Sequence, residues 1–464
     1  MNLSYRNPSL LNLYYRLPKF AREVFAALYS LKARNQRFGK AFHDQMRLLQ
    51  ENEKLPRAER ERRQVSDLKA TLRYAYEHVP YYRSLFDQSG FQPDALESLA
   101  DLRKIPVLER ETVRSKNAEL HSTAFTGPKF SHRTSGTTGT TLGFTLSEEA
   151  NQRHYGCVWH HYGWVGMRRG DRLATFGGHP LAHPDRQKPP FWLYDAVENE
   201  LYFSVQHISP KNAPYYIEQL LRFKPVVVRG IPSFLNLIAQ YMIDGGVTYK
   251  PRGVFTYSET LLDRQRRALE QAFDCTAYNF YSNGERTGHV LQCGHGRLHV
   301  LTETGVIEIL RADGSPAAAG EVGELVMTNM INRAMPLIRY RIGDTGILAR
   351  EEQCPCGRET PILESLTGRT NDFVVTEDGR RIRPVGVFMG TPMVKAAQFV
   401  QEQAGSVVVK IVPREGFGAD DRRKVAEELD AELGHSIRYQ IEIVDELPFG
   451  ANGKLQHIIS KIPS

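Results

Sequence analysis

No run of about eighteen apolar residues occurs anywhere in the 464-residue sequence, so no segment reads as a membrane span. Five cysteines in a chain of this length do not make a disulfide scaffold. The N-terminus lacks the basic, apolar and small-residue blocks of a secretion signal. Charge of one sign is scarce too: 60 basic against 53 acidic residues leave +7, with no clustered basic stripe of the kind that nucleic acid demands. No stretch recurs at a spacing of roughly 20–50 residues, which excludes a solenoid or propeller. These absences leave a globular protein of the reducing cytoplasm. Its mild positive excess suits small anions such as nucleotides, and no nucleic-acid partner is expected.

What is present supports a large core. Hydrophobic residues make up 41% of the chain and charged residues 24%, which at about 150 residues per domain suggests roughly two to four domains. Residues 1–125 read as a helical region, with Pro56–Arg63 as a solvated charged face. From about 130 to 350, short β-branched or aromatic runs alternate with longer amphipathic segments. The runs at Leu173–Phe176, Val226–Val228, Gly253–Thr256 and Ala277–Tyr281 predict strands of an α/β domain with a largely parallel sheet. Past Gly368 the texture changes, and Val407–Val412, Asp420–Leu433 and Tyr439–Val444 predict strand, helix and strand of a small α+β domain.

Four segments carry candidate chemistry. Thr134-Ser135-Gly136-Thr137-Thr138-Gly139-Thr140-Thr141 combines glycines, which let a backbone approach an anion, with hydroxyls that bind phosphate oxygens. It is not a P-loop, since no lysine follows Gly139; the bland alternative is a flexible linker. Tyr281-Ser282-Asn283-Gly284-Glu285-Arg286 follows an expected strand and offers an acid suited to Mg²⁺ at the strand's end. Tyr340-Arg341-Ile342-Gly343-Asp344 ends an apolar stretch on a lone acid, as suits a ribose diol. Gly450-Ala451-Asn452-Gly453-Lys454 sets a lysine among glycines near the C-terminus. Each of these last three alone is more often a structural turn than a site.

Taken together, these segments resemble the adenylate-forming superfamily of acyl-CoA synthetases, in particular its phenylacetate–CoA ligase branch and the capsular-polysaccharide-biosynthesis relatives. Tyr74–Arg83, Tyr257-Ser258-Glu259-Thr260-Leu261 and Gly368-Arg369-Thr370-Asn371-Asp372 fit as well, in the family's order. The resemblance implies an N-terminal domain over 1–368 that binds ATP and the acyl substrate, a mobile lid over 369–464, and a hinge at Asp372. It implies that Thr134, Ser135, Gly136, Thr137, Thr138 and Gly139 cradle phosphates, and that Ser258, Glu259 and Tyr281 lie at the nucleotide. Asp344 and Arg369 would bind the ribose, Glu285 would hold Mg²⁺, and Lys454 would reach both the carboxylate and the α-phosphate. The implied activity is ATP-dependent conversion of a carboxylic acid to an acyl-adenylate, then acyl transfer to a thiol such as coenzyme A. Transfer to an amine is the rival, and a non-catalytic nucleotide-binding scaffold the alternative from another class. Gly284 departs from the family, which places a hydroxyl there, and Asn371 stands where many relatives have an acid.

Cys354-Pro355-Cys356-Gly357 resembles a metal-binding turn, and Cys293 with His299 could complete a tetrahedral zinc set, His295 competing. Reduced thiols without metal are the alternative. Cys157 and Cys275 read as core. The aromatic and histidine residues of the segment after Ser147 read as core or as the wall of an acyl pocket, and Gly177–His179 and Gly230–Phe234 as neighbours of such a pocket. Residues 9–36 mix Tyr14, Tyr15, Phe20, Phe25 and Leu28 with lysines and arginines. Packing onto the protein is the first reading for this segment, and peripheral contact with the inner face of a membrane the second. A monomer or homodimer is expected.

Overall fold

The structure is a computed structural model that describes residues 14–53, 55–134, 142–177, 181–182, 186, 188–367, 374–377, 381–382, 384, 391, 393–433, 437–447 and 458–462. The chain divides into two compact units. One comprises 1–132, 144–342 and 346–366; the other comprises 133–143, 343–345 and 367–464. The expected boundary at 368/369 lies outside the described residues.

The first unit opens with helices, as expected: α1 (Lys19–Phe38), α2 (Lys40–Asn52), α3 (Arg57–His78) and α4 (Pro80–Ser89). One charged face departs from expectation. Arg60 is buried rather than solvated, because Glu303 lies 2.9 Å from it and neutralises it there. After α5 (Glu148–Gly163) come β1 (Leu173–Gly177), β2 (Trp192–Asp195) and β3 (Glu200–Ser204). Then α6 (Ala213–Phe223), α7 (Pro232–Asp244) and α8 (Asp263–Phe273) alternate with β4 (Val227–Gly230), β5 (Gly253–Thr256) and β6 (Ala277–Ser282). The chain continues through β7 (His289–Gln292), β8 (Leu298–Val300), β9 (Gly305–Leu310), β10 (Val322–Asn329), β11 (Tyr340–Leu348) and β12 (Ile362–Thr367).

These twelve strands form one sheet in the order β9-β10-β11-β12-β8-β7-β6-β5-β4-β1-β3-β2. The four predicted runs are all strands, and they supply most of the parallel block β3-β1-β4-β5-β6. Helices cover the faces of that block, so its strands are buried runs such as the wholly buried β1. Phe176 and Phe203 stack at 4.4 Å in its core, with Tyr216, Leu235 and Phe273 packed around them. The expectation of a largely parallel sheet is corrected for the other side. Pairs β6–β7, β7–β8, β8–β12 and β9–β10 are antiparallel, since links as short as 293–297 leave no room for a crossover helix.

The second unit holds a four-stranded sheet in the order β15-β14-β13-β16, from β13 (Val394–Gln403), β14 (Ser406–Pro413), β15 (Arg438–Ile443) and β16 (Ile458–Ser460). Helix α9 (Ala419–Leu433) packs Val425, Leu429 and Leu433 against Phe399, Val409 and Ile411. The predicted strand, helix and strand of this region are all present. No described helix is long and apolar enough to cross a membrane.

Candidate active site and metal centre

The parallel block brings Ser258, Glu259, Tyr281 and Glu285 to one edge. In β4, β5 and β6, Val228 lies beside Val254 and Val254 beside Ala277, so their carboxyl ends are neighbours. The loops leaving those ends carry Gly230–Ser233, Tyr257–Glu259 and Asn283–Arg286. Ligands of open α/β sheets bind at this edge, where helix N-termini and loop N–H groups converge. The loops brace each other: the Ser233 backbone N–H and hydroxyl both donate to the Glu259 carboxylate, at 3.2 and 3.1 Å. Ser258 has φ of +71°, a left-handed conformation that costs a non-glycine residue energy and recurs at functional turns. Ser258 and Glu259 are exposed and Tyr281 is half-buried.

Glu285 is buried at 2% exposure in the turn after β6. Asn283 builds that turn, its amide donating to Thr287 Oγ1 at 2.6 Å while its Oδ1 accepts from the Thr287 N–H at 3.0 Å. Arg286 turns through φ of +57°, and its carbonyl accepts from Asn329 Nδ2. These bonds brace the turn that carries Glu285, whose carboxylate is the candidate ligand for a magnesium ion that would take its other ligands from phosphate oxygens and waters. Asp344 lies half-buried on β11 and belongs to the second unit. Thr134 ends the strand Lys129–Thr134. Its side chain and Ser135, Gly136, Thr137, Thr138 and Gly139 lie outside the described residues, as do Arg369, Asp372, Lys454 and Gly178–His179.

The four metal-ligand candidates do come together. The ligand atoms of Cys293, His299, Cys354 and Cys356 all lie within 4.8 Å of one another. Strand pairing explains the assembly. Cys293 follows β7, His299 sits on β8, and β8 pairs with β12 just beyond the Cys354–Cys356 turn. Cys293 Sγ is 3.6 Å from Cys354 Sγ, and Cys356 Sγ is 3.3 Å from His299 Nε2. Those spacings match the edges of a tetrahedron around zinc, roughly 3.3–3.8 Å for metal–ligand bonds of about 2.0–2.3 Å. His299 Nδ1 is 2.8 Å from the Thr360 hydroxyl, which orients the ring with Nε2 toward the sulfurs. Burial pushes the Cys354 thiol up to about 12. It pushes Cys356 the same way, but hydrogen bonds from Arg358 and Cys354 outweigh it and hold that thiol below its ordinary value.

Beside this centre lies a polar network that sequence spacing did not reveal. Glu53 accepts from Trp164 Nε1 at 2.6 Å and pairs with His160 and Arg358, each at 3.0 Å. Burial pushes Glu53 up, yet His160 and Arg358 outweigh it and hold it at about 2. Arg358 also stacks on Trp164 at 3.7 Å. A cavity of about 10 Å³ separates this network from Arg60 and Glu303, and a cleft of about 390 Å³ opens beyond Arg358 toward Arg57. A second missed pair sits deeper in the unit: Arg229 meets Glu200 at 2.7 Å and donates to Thr175 at 2.7 Å. Glu200 and Thr175 lie 29 and 54 residues from Arg229 in sequence, so no local pattern announces them.

The histidines of α5 are buried, and His160 also lines the small cavity beside Glu53. His161 Nε2 donates to the Gln292 carbonyl at 2.8 Å, and His154 Nδ1 is 3.0 Å from His289 Nε2. Burial depresses His161 to about 3, and burial with nearby Arg286 depresses His289 to about 3. Both folded values lie below the unfolded value of about 6.5, so the unfolded chain binds more protons once the pH drops beneath 6.5. The stability of the neutral buried rings is whole at neutral pH and is lost progressively from about 6.5 toward 3. Each ring costs roughly 2 kcal/mol at about pH 5. Melting followed by circular dichroism at pH 7, 6 and 5 is expected to show a Tm falling through a range where carboxylates hardly titrate. An unchanged Tm would sink this account.

The CapK C-terminal domain family matches residues 374–461. Over 457 residues the chain is 23% identical to Protein CapK of Staphylococcus aureus, covering 97% of this chain and 99% of that one. It is 27% identical over 412 residues to phenylacetate-coenzyme A ligase of Thermus thermophilus, covering 83% and 86%. The crystal structure of a 2-hydroxyisobutyryl-CoA ligase in complex with R3-HIB-AMP aligns with a TM-score of 0.64 at 20% identity, over 88% of this chain and 91% of that one. At that identity the alignment speaks for the fold, a large N-terminal α/β domain followed by a smaller C-terminal one.

Proposed function

We propose that the chain belongs to the adenylate-forming superfamily, on its phenylacetate–CoA ligase and CapK side, and that it activates a carboxylic acid with ATP and transfers the acyl group to a thiol such as coenzyme A. One observation supports this reading above the others. Ser258, Glu259, Tyr281 and the buried Glu285 all lie at the carboxyl edge of three adjacent parallel strands. The named activities of the relatives favour the thiol over an amine acceptor.

The chemistry sets the roles. A carboxylate is a poor acyl donor because oxide is a hopeless leaving group. Attack of one carboxylate oxygen on the α-phosphorus forms an acyl–phosphate bond and breaks the bond to pyrophosphate. Two anions must approach, so the site needs positive charge where negative charge accumulates. Thr134–Gly139 holds the leaving phosphates, Ser258, Glu259 and Tyr281 seat the nucleotide, and Asp344 and Arg369 bind the ribose. Glu285 holds magnesium, which neutralises phosphate charge. Lys454 binds the carboxylate and α-phosphate together, and rotation at Asp372 then removes it to admit the thiol. The Cys293–His299–Cys354–Cys356 set holds a structural zinc ion, since four protein ligands leave no open position for chemistry.

Carboxylate-dependent ATP–pyrophosphate exchange over aryl, fatty, hydroxy and amino acids tests this function. Exchange with one class, and a thioester once coenzyme A is added, is the expected outcome. An adenylate that persists until an amine is supplied would reassign the acceptor. Failure to bind ATP at all would refute the reading.

A further inference from the structure

Helix α1 is docked with the opposite face inward from the one its composition would suggest. Its buried positions are Arg22, Ala26, Ser30 and Ala33. Arg22 Nη1 donates to the Leu181 carbonyl at 2.6 Å, Ser30 donates to Asp195, and Ala26 packs against Leu181, Leu193 and Tyr202. The large apolar residues of the helix point the other way. Phe20 is 70% exposed, Val24 56%, Leu28 60% and Leu31 52%, with Phe25 beside them at 39%. At roughly 100° per residue, the first four fall within about a quarter of the circumference, opposite the buried face. A contiguous apolar stripe on the surface of a soluble protein marks something that covers it.

Charge identifies the cover. The exposed charged residues from Arg16 to Arg34 are Arg16, Lys19, Lys32 and Arg34, all basic. The one acid of the helix, Glu23, is turned toward the body, where it accepts from the Tyr194 N–H at 3.3 Å and lies 3.3 Å from Lys19. On the helical wheel Arg34 flanks one side of the stripe and Lys32 the other. A second copy meeting this face about a two-fold axis would set those bases against their own kind, with no exposed acid on the helix to relieve them. A bilayer with anionic headgroups satisfies both features, because its acyl region takes the apolar stripe while its headgroups meet the flanking bases.

We propose that the outward face of α1 is an interfacial membrane anchor, which seats this enzyme on anionic bilayers through Phe20, Val24, Leu28 and Leu31. The anchor lies on the surface, and none of its residues belongs to the proposed nucleotide site. Its truth is therefore independent of the proposed reaction.

Flotation of the full chain with phosphatidylcholine vesicles, alone or with about a third phosphatidylglycerol, provides the test. Binding to the anionic vesicles is expected to exceed binding to the neutral ones by about tenfold or more, and to weaken as salt is raised. The Phe20→Ser/Leu28→Ser variant is expected to lose at least about tenfold in partitioning, and Lys32→Glu/Arg34→Glu to lose the preference for anionic lipid. Unchanged circular dichroism and melting would establish that both variants fold. Failure of the unaltered protein to float with anionic vesicles overturns the proposal. So does a concentration-dependent dimer that Phe20→Ser/Leu28→Ser disperses while no vesicle binding occurs, for then a second copy covers the face. Binding that survives both variants also overturns it.

Discussion

Replacing Lys454 with alanine is expected to lower carboxylate-dependent ATP–pyrophosphate exchange by about 10²–10³-fold, and to leave thioester formation from preformed acyl-adenylate far less affected. The asymmetry follows from where charge develops. In the first half-reaction a carboxylate closes on an α-phosphate that is itself anionic, and a fixed ammonium between them is worth most when the new bond is partly formed. In the second half-reaction the thiol sulfur attacks the acyl carbon of the mixed anhydride and nucleoside monophosphate departs, so no bond forms at the α-phosphorus and the lysine is not needed there. Lys461 supplies a control from the same unit, since it is exposed and paired with Glu402 at 2.6 Å. Its alanine variant is expected to exchange at the normal rate. Exchange within about threefold of normal in Lys454→Ala would remove the lysine from the chemistry. Equal loss in both half-reactions would point to damaged folding or nucleotide binding instead.

The parts legible in sequence were those whose physics is local. The strand runs at Leu173–Phe176 and Gly253–Thr256 stand out because a strand covered on both faces must be apolar at successive positions. The antiparallel half was not read, because hairpin links and crossover links differ in where the chain returns, which side-chain pattern does not record. The nearby Cys354 and Cys356 drew attention to a metal site, and the register of β8 with β7 and β12 supplies the rest. The Glu53–His160–Arg358 network was invisible, since its members lie more than a hundred residues apart and meet only through tertiary packing. Helix α1 shows a different limit. Periodicity tells which face of a helix is apolar, and the assumption that this face turns inward fails where Arg22 and Ser30 find specific partners on the body.

Loss of the metal is expected to destabilise the first unit without entering the chemistry. Two tight turns present the ligands: the Gly296 N–H bonds the Cys293 carbonyl at 2.9 Å, and the Gly357 N–H bonds the Cys354 carbonyl at 3.0 Å. Both glycines have positive φ, +77° and +78°, which those turns require. An ion held by both turns ties the β7–β8 hairpin to the segment entering β12. Without it, three thiols and an imidazole are crowded in a mostly buried pocket with little to attract them to one another. The protein is expected to contain about one zinc per chain by mass spectrometric metal analysis, and Cys354→Ser to lose it. An ion present at about a thousand times its dissociation constant contributes roughly 4 kcal/mol, so Tm is expected to fall by roughly 5 °C or more on chelation. Cys157→Ser, which alters a buried cysteine outside the set, should keep its zinc. Because the ion is assigned a structural role, chelated enzyme held well below its new Tm should keep its exchange rate. Protein purified without bound metal from zinc-supplemented cells would leave the cluster as reduced thiols. A chelated enzyme that is folded but inactive would move the metal from the scaffold to the reaction.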